Sequence, residues 1–181
     1  MKIEATLLPG VLVLTPTVYR DDRGAFSETF NLRRFAEAGL PTNWVQDNFS
    51  LSKKNVVRGI HYQISQPQGK LVRVTHGAVL DVAVDLRRSS QAFGRHVAVE
   101  LSGENGRMLW IPEGFGHAFV VLSEVAGFTY KVTDYYAPQS ERTILWNDPE
   151  LGIGWPIAEE EAIVSEKDSK GARLRDAEVF Q

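Results

Sequence analysis

The chain has 181 residues, 43% hydrophobic and 24% charged, a balance that excludes disorder, collagen-like repeats and coiled coils. Twenty Lys and Arg against 23 Asp and Glu leave a net charge of -3, a balance that gives no global sign of a basic face for nucleic acid. No apolar run approaches the ~18 residues of a spanning helix. The absence of cysteine removes disulfides, thiolate metal sites and thiol nucleophiles.

The start, Met1–Thr6, lacks the apolar stretch of a secretory signal, and a cytoplasmic location is expected. Val11-Leu12-Val13-Leu14 is an apolar run ended by Pro16. Next comes the one convincing helix before residue 150, with Asn31 as N-cap, Leu32 and Phe35-Ala36 at helical spacing, and Gly39 and Pro41 as stop signals. Strand-like runs follow at Val56-Val57, Leu71–Val74, Val79–Leu86, His96–Leu101, Met108–Ile111, Ala118–Leu122 and Phe128–Val132. Eight short strands with tight turns and no alternating helices predict an all-β antiparallel sandwich or small barrel. No linker interrupts residues 1–155, so one domain over residues 1–181 is expected. The charged segment 158–181 is either a closing segment over the barrel mouth or a solvated surface tail.

Chemistry must come from four histidines, the tyrosines and scattered charges. No His-x-His, His-x-x-Glu-His or His-Glu-x-x-His arrangement occurs, so acid–base chemistry without a metal is expected. Strand alternation in Val57–Gln63 places His61 with Gly59 and Gln63 on one face, and Ile60 and Tyr62 on the other. Arg58 then falls opposite His61. Both line one cavity only if the strand starts or bulges near Gly59. Tyr130 and Tyr136, six apart, are expected on one strand face with Val132 and Asp134 between them. Gln46, Asn48 and Ser50 likewise share a face and offer amide donors and acceptors. Arg23, Arg58, Lys70, Arg73 and Lys167 are candidates for anion binding, Arg as a planar fork and Lys as a compact charge. The residues alone lead to a small β-barrel with a polar cavity.

Several runs together resemble one family: Asp22-Arg23-Gly24 with Phe26 and Glu28, Gln46-Asp47-Asn48, Arg58–Gln63, and Gln68–Arg73. They continue in Trp110–His117, Tyr130-Lys131 with Tyr135-Tyr136, and Leu145–Pro149. In order and spacing they resemble the dTDP-4-dehydrorhamnose 3,5-epimerase family, from about residue 3 to at least Asp168. The resemblance implies a cupin-type antiparallel jelly roll, a homodimer and no metal or other cofactor. The implied substrate is dTDP-4-dehydro-6-deoxy-D-glucose, epimerised at C3 and C5 on the way to dTDP-L-rhamnose.

By matching motif, the resemblance makes His61 the general base, Tyr130 the general acid, Asp168 the carboxylate paired with the base, and Lys70 the cation beside the C4 oxygen. It places Arg23, Glu28, Gln46, Asp47, Asn48, Arg58, His117, Glu141 and Lys167 around the nucleotide sugar, and Tyr136 against thymine. A local departure is Gly116-His117-Ala118, where the family more often has Ala-His-Gly. The residue types suit the chemistry, because protons flanking a C4 ketone are acidic through an enolate. Imidazole suits abstraction at neutral pH, and a phenol stays protonated to donate. Rival readings are a 3-only or 5-only epimerase or a ketoisomerase on a related substrate, a non-catalytic sugar-binding cupin module, and a metal-dependent cupin oxygenase.

Overall fold

The computed structural model describes residues 1–181. Fourteen strands follow in chain order: β1 (Lys2–Ala5), β2 (Leu12–Thr15), β3 (Val18–Asp21), β4 (Gly24–Ser27), β5 (Gln46–Lys53), β6 (Val56–Gln63) and β7 (Lys70–His76). The second half adds β8 (Ala78–Asp85), β9 (His96–Ser102), β10 (Met108–Ile111), β11 (Phe115–Val121), β12 (Val125–Val132), β13 (Glu141–Thr143) and β14 (Ile163–Val164). Helix α1 (Leu32–Glu37) precedes β5, and α2 (Glu166–Ser169) follows β14. All eight expected runs lie in or overlap strands. Six strands lie outside those runs and are short, polar or exposed: β1 shows all four residues to solvent, and in the polar β5 Gln46, Asn48 and Ser50 share a face as expected.

One sheet runs β1-β2-β10-β7-β12-β5 and the other β13-β6-β11-β8-β9, while β3 and β4 pair only with each other. Their strands are antiparallel, and β14 alone adds in parallel beside β6. Val72, Leu109, Ile111 and Phe128 of the first sheet meet Val79, Ala83, Leu101 and Phe119 of the second in a core without solvent. This is the cupin-type jelly roll, in which inner-face residues alternate with outer ones along each strand.

Both outer faces are covered in part. Asn31 caps α1 by accepting from the Arg34 N–H at 3.2 Å, and Phe35 packs onto Leu71, Met108 and Trp110 outside the first sheet. Leu174, Ala177 and Val179 lie on Ile60, Tyr62, Val82 and Val84 outside the second. Segment 158–181 is therefore no loose tail. Val164 pairs with Val57, Ala172 bridges Ile144, and Phe180 bridges Arg87, so the segment is pinned along its length. Sequence alone hid this because three apolar residues spaced among charges suffice to bury a strap on a flat face. No helix is long and apolar enough to cross a membrane.

Candidate functional site

The interior changes character toward one end. There a cavity of about 270 Å³ is lined by Asn48, Ser50, Arg58, His61, Lys70, His117 and Tyr130 over a floor of Phe119 and Phe128. The two floor rings stack with centroids 4.3 Å apart, and His117 lies against Phe128 at 5.9 Å. Aromatic stacking thus separates a polar pocket from the apolar core.

Strand β6 supplies both His61 and Arg58, despite their opposite parity. The β6–β11 register shifts between the pairs His117–His61 and Phe119–Arg58, a bulge that turns both side chains inward. Gly59 sits there at φ +111°, and a Cβ on it would strike the His117 carbonyl oxygen and lie 2.8 Å from Ala118 Cα. Only glycine fits. Ile60 and Tyr62 face outward under the C-terminal strap.

That strap also enters the site. Ser165 caps α2, and Asp168, 2% exposed, places Oδ1 2.6 Å from His61 Nε2. Its Oδ2 accepts from the Gly59 N–H at 3.2 Å. Burial alone would push the Asp168 carboxyl up, but the His61 ring, the Gly59 N–H and the Lys167 charge bring it below its ordinary value. An ionised Asp168 holds the Nε2 proton and leaves Nδ1 as a free acceptor.

A second pair stands on the neighbouring strand. His117 Nε2 is 2.9 Å from Asp81 Oδ2, and Asp81 is wholly buried on the inner face of β8 between Val79 and Ala83. Burial pushes the His117 ring down from its ordinary value, partly offset by Asp81. Asp81 was missed because it sits in the run Val79–Leu86 that otherwise reads as core. The signal was there, a carboxylate sharing a strand face with Val79 and Ala83.

Lys70 begins β7 with 8% exposure, and its one hydrogen bond is to the His61 carbonyl oxygen at 3.4 Å. Burial lowers its ammonium to about 8, against the support of Asp81 and Glu141. Opposite, on β12, burial and then the Glu141 charge hold the Tyr130 phenol above its ordinary value, so it keeps its proton at neutral pH. Arg58 donates to Ser52 at 3.1 Å.

Tyr136 corrects an expectation. β12 ends at Val132, which is buried in the interior, and Tyr136 reaches the site from the loop beyond instead of sharing a strand face with Tyr130. Gln63 holds that loop, accepting from the Ala137 N–H at 2.8 Å and donating to the Tyr135 carbonyl at 3.2 Å. Tyr136 donates to Glu141 Oε2 at 3.0 Å, and Lys167 to Glu141 Oε1 at 2.9 Å. One carboxylate thereby ties a phenol and an ammonium together. Gln46 donates to Asn48 at 2.8 Å, while Asp47 points to the opposite face and pairs with Lys131 at 2.9 Å.

Arg23 and Glu28 stay outside the cavity. Arg23 lies in the turn of the β3–β4 hairpin, 90% exposed and clasped by Asp21, and Glu28 binds Arg34 at 3.0 Å. Their sequence motif carries no sign of this separation. His117 keeps regular register with β8, opposite Ala83, despite the displaced glycine. Gly116 faces outward against Ile60 and Leu86, which leave no room for a Cβ. No three His, Asp or Glu side chains converge as metal ligands would.

The sequence profile of the dTDP-4-dehydrorhamnose 3,5-epimerases matches residues 5–176. The chain belongs to this family. It is 55% identical over 181 residues to the dTDP-4-dehydrorhamnose 3,5-epimerase of Pseudomonas aeruginosa, spanning 99% of both chains. The fold superposes with a TM-score of 0.94 on a Legionella pneumophila dTDP-6-deoxy-D-glucose-3,5-epimerase solved with dTDP-4-keto-L-rhamnose, at 48% identity over 98% of this chain and 94% of that one. A 3'-monoepimerase from Streptomyces bikiniensis, solved with dTDP-quinovose, superposes at 0.88 with 33% identity over 94% and 86%. Family membership makes the chain an isomerase of the epimerase class.

Proposed function

We propose that the cavity epimerises dTDP-4-dehydro-6-deoxy-D-glucose at C3 and C5, giving dTDP-4-dehydro-L-rhamnose. The observation that carries this is the pairing of groups across the sandwich. A His–carboxylate pair stands on the second sheet and a protonated phenol on the first, with a buried ammonium in the same cavity. A non-catalytic sugar site has no use for that arrangement.

His61 removes the proton from carbon. Asp168 orients the ring and stabilises the imidazolium. The electrons move onto the C4 oxygen, where Lys70 supplies the charge, and Tyr130 returns a proton from the opposite face. Arg58, Lys167, His117, Gln46 and Asn48 hold the nucleotide sugar. Tyr136 stacks on the base, the exposed ring being restrained at its hydroxyl by Glu141.

Arg23 and Glu28 act, in this reading, on the cavity of a second copy. The β3–β4 hairpin pairs with no other strand and exposes Tyr19 and Phe26 by 65% and 71%, while β5 exposes Phe49 and Leu51. A homodimer would cover these rings and carry Arg23 across. Mixing Arg23→Ala with His61→Asn protein at low substrate should then regenerate intact sites, and mixtures no faster than the sum of their parts would exclude action across the dimer.

Incubation of the protein with the dTDP-keto sugar in deuterated water, followed by NMR, tests the main reading. Deuterium and inversion are expected at both C3 and C5. Exchange confined to one carbon would make the chain a single-position epimerase, and no exchange would remove the epimerase assignment. In Tyr130→Phe the enolate still forms and His61 reprotonates the original face. Exchange should therefore continue while inversion falls by about 10²-fold or more. An unchanged ratio of exchange to inversion would exclude Tyr130 as the acid.

A further inference from the structure

Asp81 stands out among the buried groups that the proposed reaction leaves unused. It is 0% exposed inside the sandwich, with His117 at 2.9 Å on Oδ2 and no protein hydrogen-bond partner on Oδ1. A carboxylate oxygen buried without a hydrogen bond is costly, and nothing in the packing of Val79 and Ala83 requires one there. Lys70 is the complementary case, a buried ammonium with no carboxylate in salt-bridge reach and one long hydrogen bond.

We propose that Asp81 is a positioning residue: a single buried carboxylate that serves as counter-charge to the Lys70 ammonium and fixes the ring of His117. This rests on the role given to Lys70 above. The groups acting on Lys70 come from several elements. Glu141 on β13 supports its charge and Lys167 on α2 opposes it, but these two are paired with each other at 2.9 Å and largely offset. His117 on β11 is kept neutral by burial and by Lys70 itself. His61 and Arg58 on β6 and Tyr130 on β12 line the same cavity and supply no negative charge at neutral pH. Asp168 on α2 is also ionised, but both of its oxygens are engaged, by His61 and by the Gly59 N–H, which leaves Asp81 on β8 as the carboxylate with a free oxygen. The arrangement also decides the His117 tautomer. An ionised carboxylate only accepts, so Nε2 carries the proton and Nδ1 is bare, with no partner in the protein. His117 therefore accepts from a substrate hydroxyl and does not donate to phosphate.

Two variants and one measurement on the native protein test this. In Asp81→Asn the alkaline limb of the pH–rate profile should move down by about one pH unit or more, because Lys70 loses the carboxylate that most supports its charge. Asp81→Val, an apolar replacement suited to its Val79 and Ala83 surroundings, should move it the same way. A merely structural role would lower the rate equally at every pH, and an unmoved limb in a folded variant overturns the proposal. In the wild-type protein without substrate, ¹⁵N NMR of the histidine rings between pH 6 and 8 should show His117 protonated on Nε2 alone, assigned by its loss in His117→Asn. A proton on Nδ1, or an imidazolium at pH 7, overturns the proposal even if neither Asp81 variant folds. This measurement needs no turnover. Absence of epimerase activity in the wild type would strike the proposed function and leave the Asp81 arrangement to be judged separately.

Discussion

The cavity holds two histidine–carboxylate pairs of nearly equal geometry, 2.6 Å for His61–Asp168 and 2.9 Å for His117–Asp81. Their surroundings differ. The His61 side chain is 26% exposed and the His117 side chain 9%. Asp168 arrives on a C-terminal strap and also accepts from the Gly59 N–H, whereas Asp81 is part of the central strand β8 and has one bare oxygen. In the proposed reaction the same pair of functional groups therefore serves two ends. An accessible ring with a supported carboxylate can shuttle a proton to a ligand. A ring sealed against Phe128 is held neutral by burial and is suited to accept a hydrogen bond.

The comparison is tested most severely by catalysis. His61→Asn should lower the rate by about 10²–10⁴-fold. Asp168→Asn should come close to it, because an amide can hold the ring in the wrong tautomer. Steady-state kinetics check both, and near-native rates in either would mean that this pair is structural.

Stability should rank the pairs the other way. His117→Ala leaves the Asp81 charge buried without a donor, at a cost of about 3–5 kcal/mol. His61→Ala opens its place to water and leaves Asp168 the Gly59 N–H, so roughly 1–3 kcal/mol is expected. Urea unfolding at pH 7 measures both, and equal costs would erase the distinction.

In the proposed reaction Lys70 sets the pH limit of the site. Its ammonium, lowered by burial to about 8, is present below that pH and lost as pH rises through it, so the rate should decline above about pH 8. Folding stability responds in the opposite sense. A buried charge whose proton leaves more readily than in the unfolded chain costs stability at low pH, and that cost fades as pH climbs past 8. Activity should thus fall across a range where Lys70 itself does not weaken the fold. Lys70→Met should remove this limb and reduce kcat by roughly 10²–10³-fold, the usual loss for one oxyanion donor. An alkaline limb persisting in Lys70→Met would assign it to another group.

The smallest effect belongs to the mouth. Tyr136→Phe keeps the ring and loses one hydrogen bond to Glu141, so KM should change only a few-fold. Tyr136→Ala should lose the proposed base stacking, about 1–3 kcal/mol, giving a fivefold or larger rise in KM with kcat little changed. Equal effects from the two variants would assign Tyr136 a role through its hydroxyl.

Legibility in the sequence followed the kind of signal each residue leaves. β-branched runs announced the core strands of both sheets, and Asn31 with Gly39 and Pro41 bounded α1 closely. The motif around Arg58–Gln63 marked the strand that builds the site. β1 escaped because a polar edge strand satisfies the same backbone hydrogen bonds with no apolar repeat to betray it, and β5 was legible only through the shared face of Gln46, Asn48 and Ser50. The expectation that Tyr130 and Tyr136 share a face failed because strand parity holds only while the strand continues, and β12 stops at Val132.

By itself the sequence determined the fold class, the family and which residue types must do the chemistry, since periodicity, cysteine count and motif order are local properties of the chain. Tertiary structure alone decided which of those residues meet. A bulge at Gly59 turned Arg58 and His61 into one cavity, and a strap returned Asp168 over 107 residues of separation to His61. It also withheld Arg23 from that cavity and buried Asp81 where a core residue was expected. Such meetings depend on long-range register and on burial, at which local spacing only hints, as Gly59 within β6 and the carboxylate between Val79 and Ala83 did.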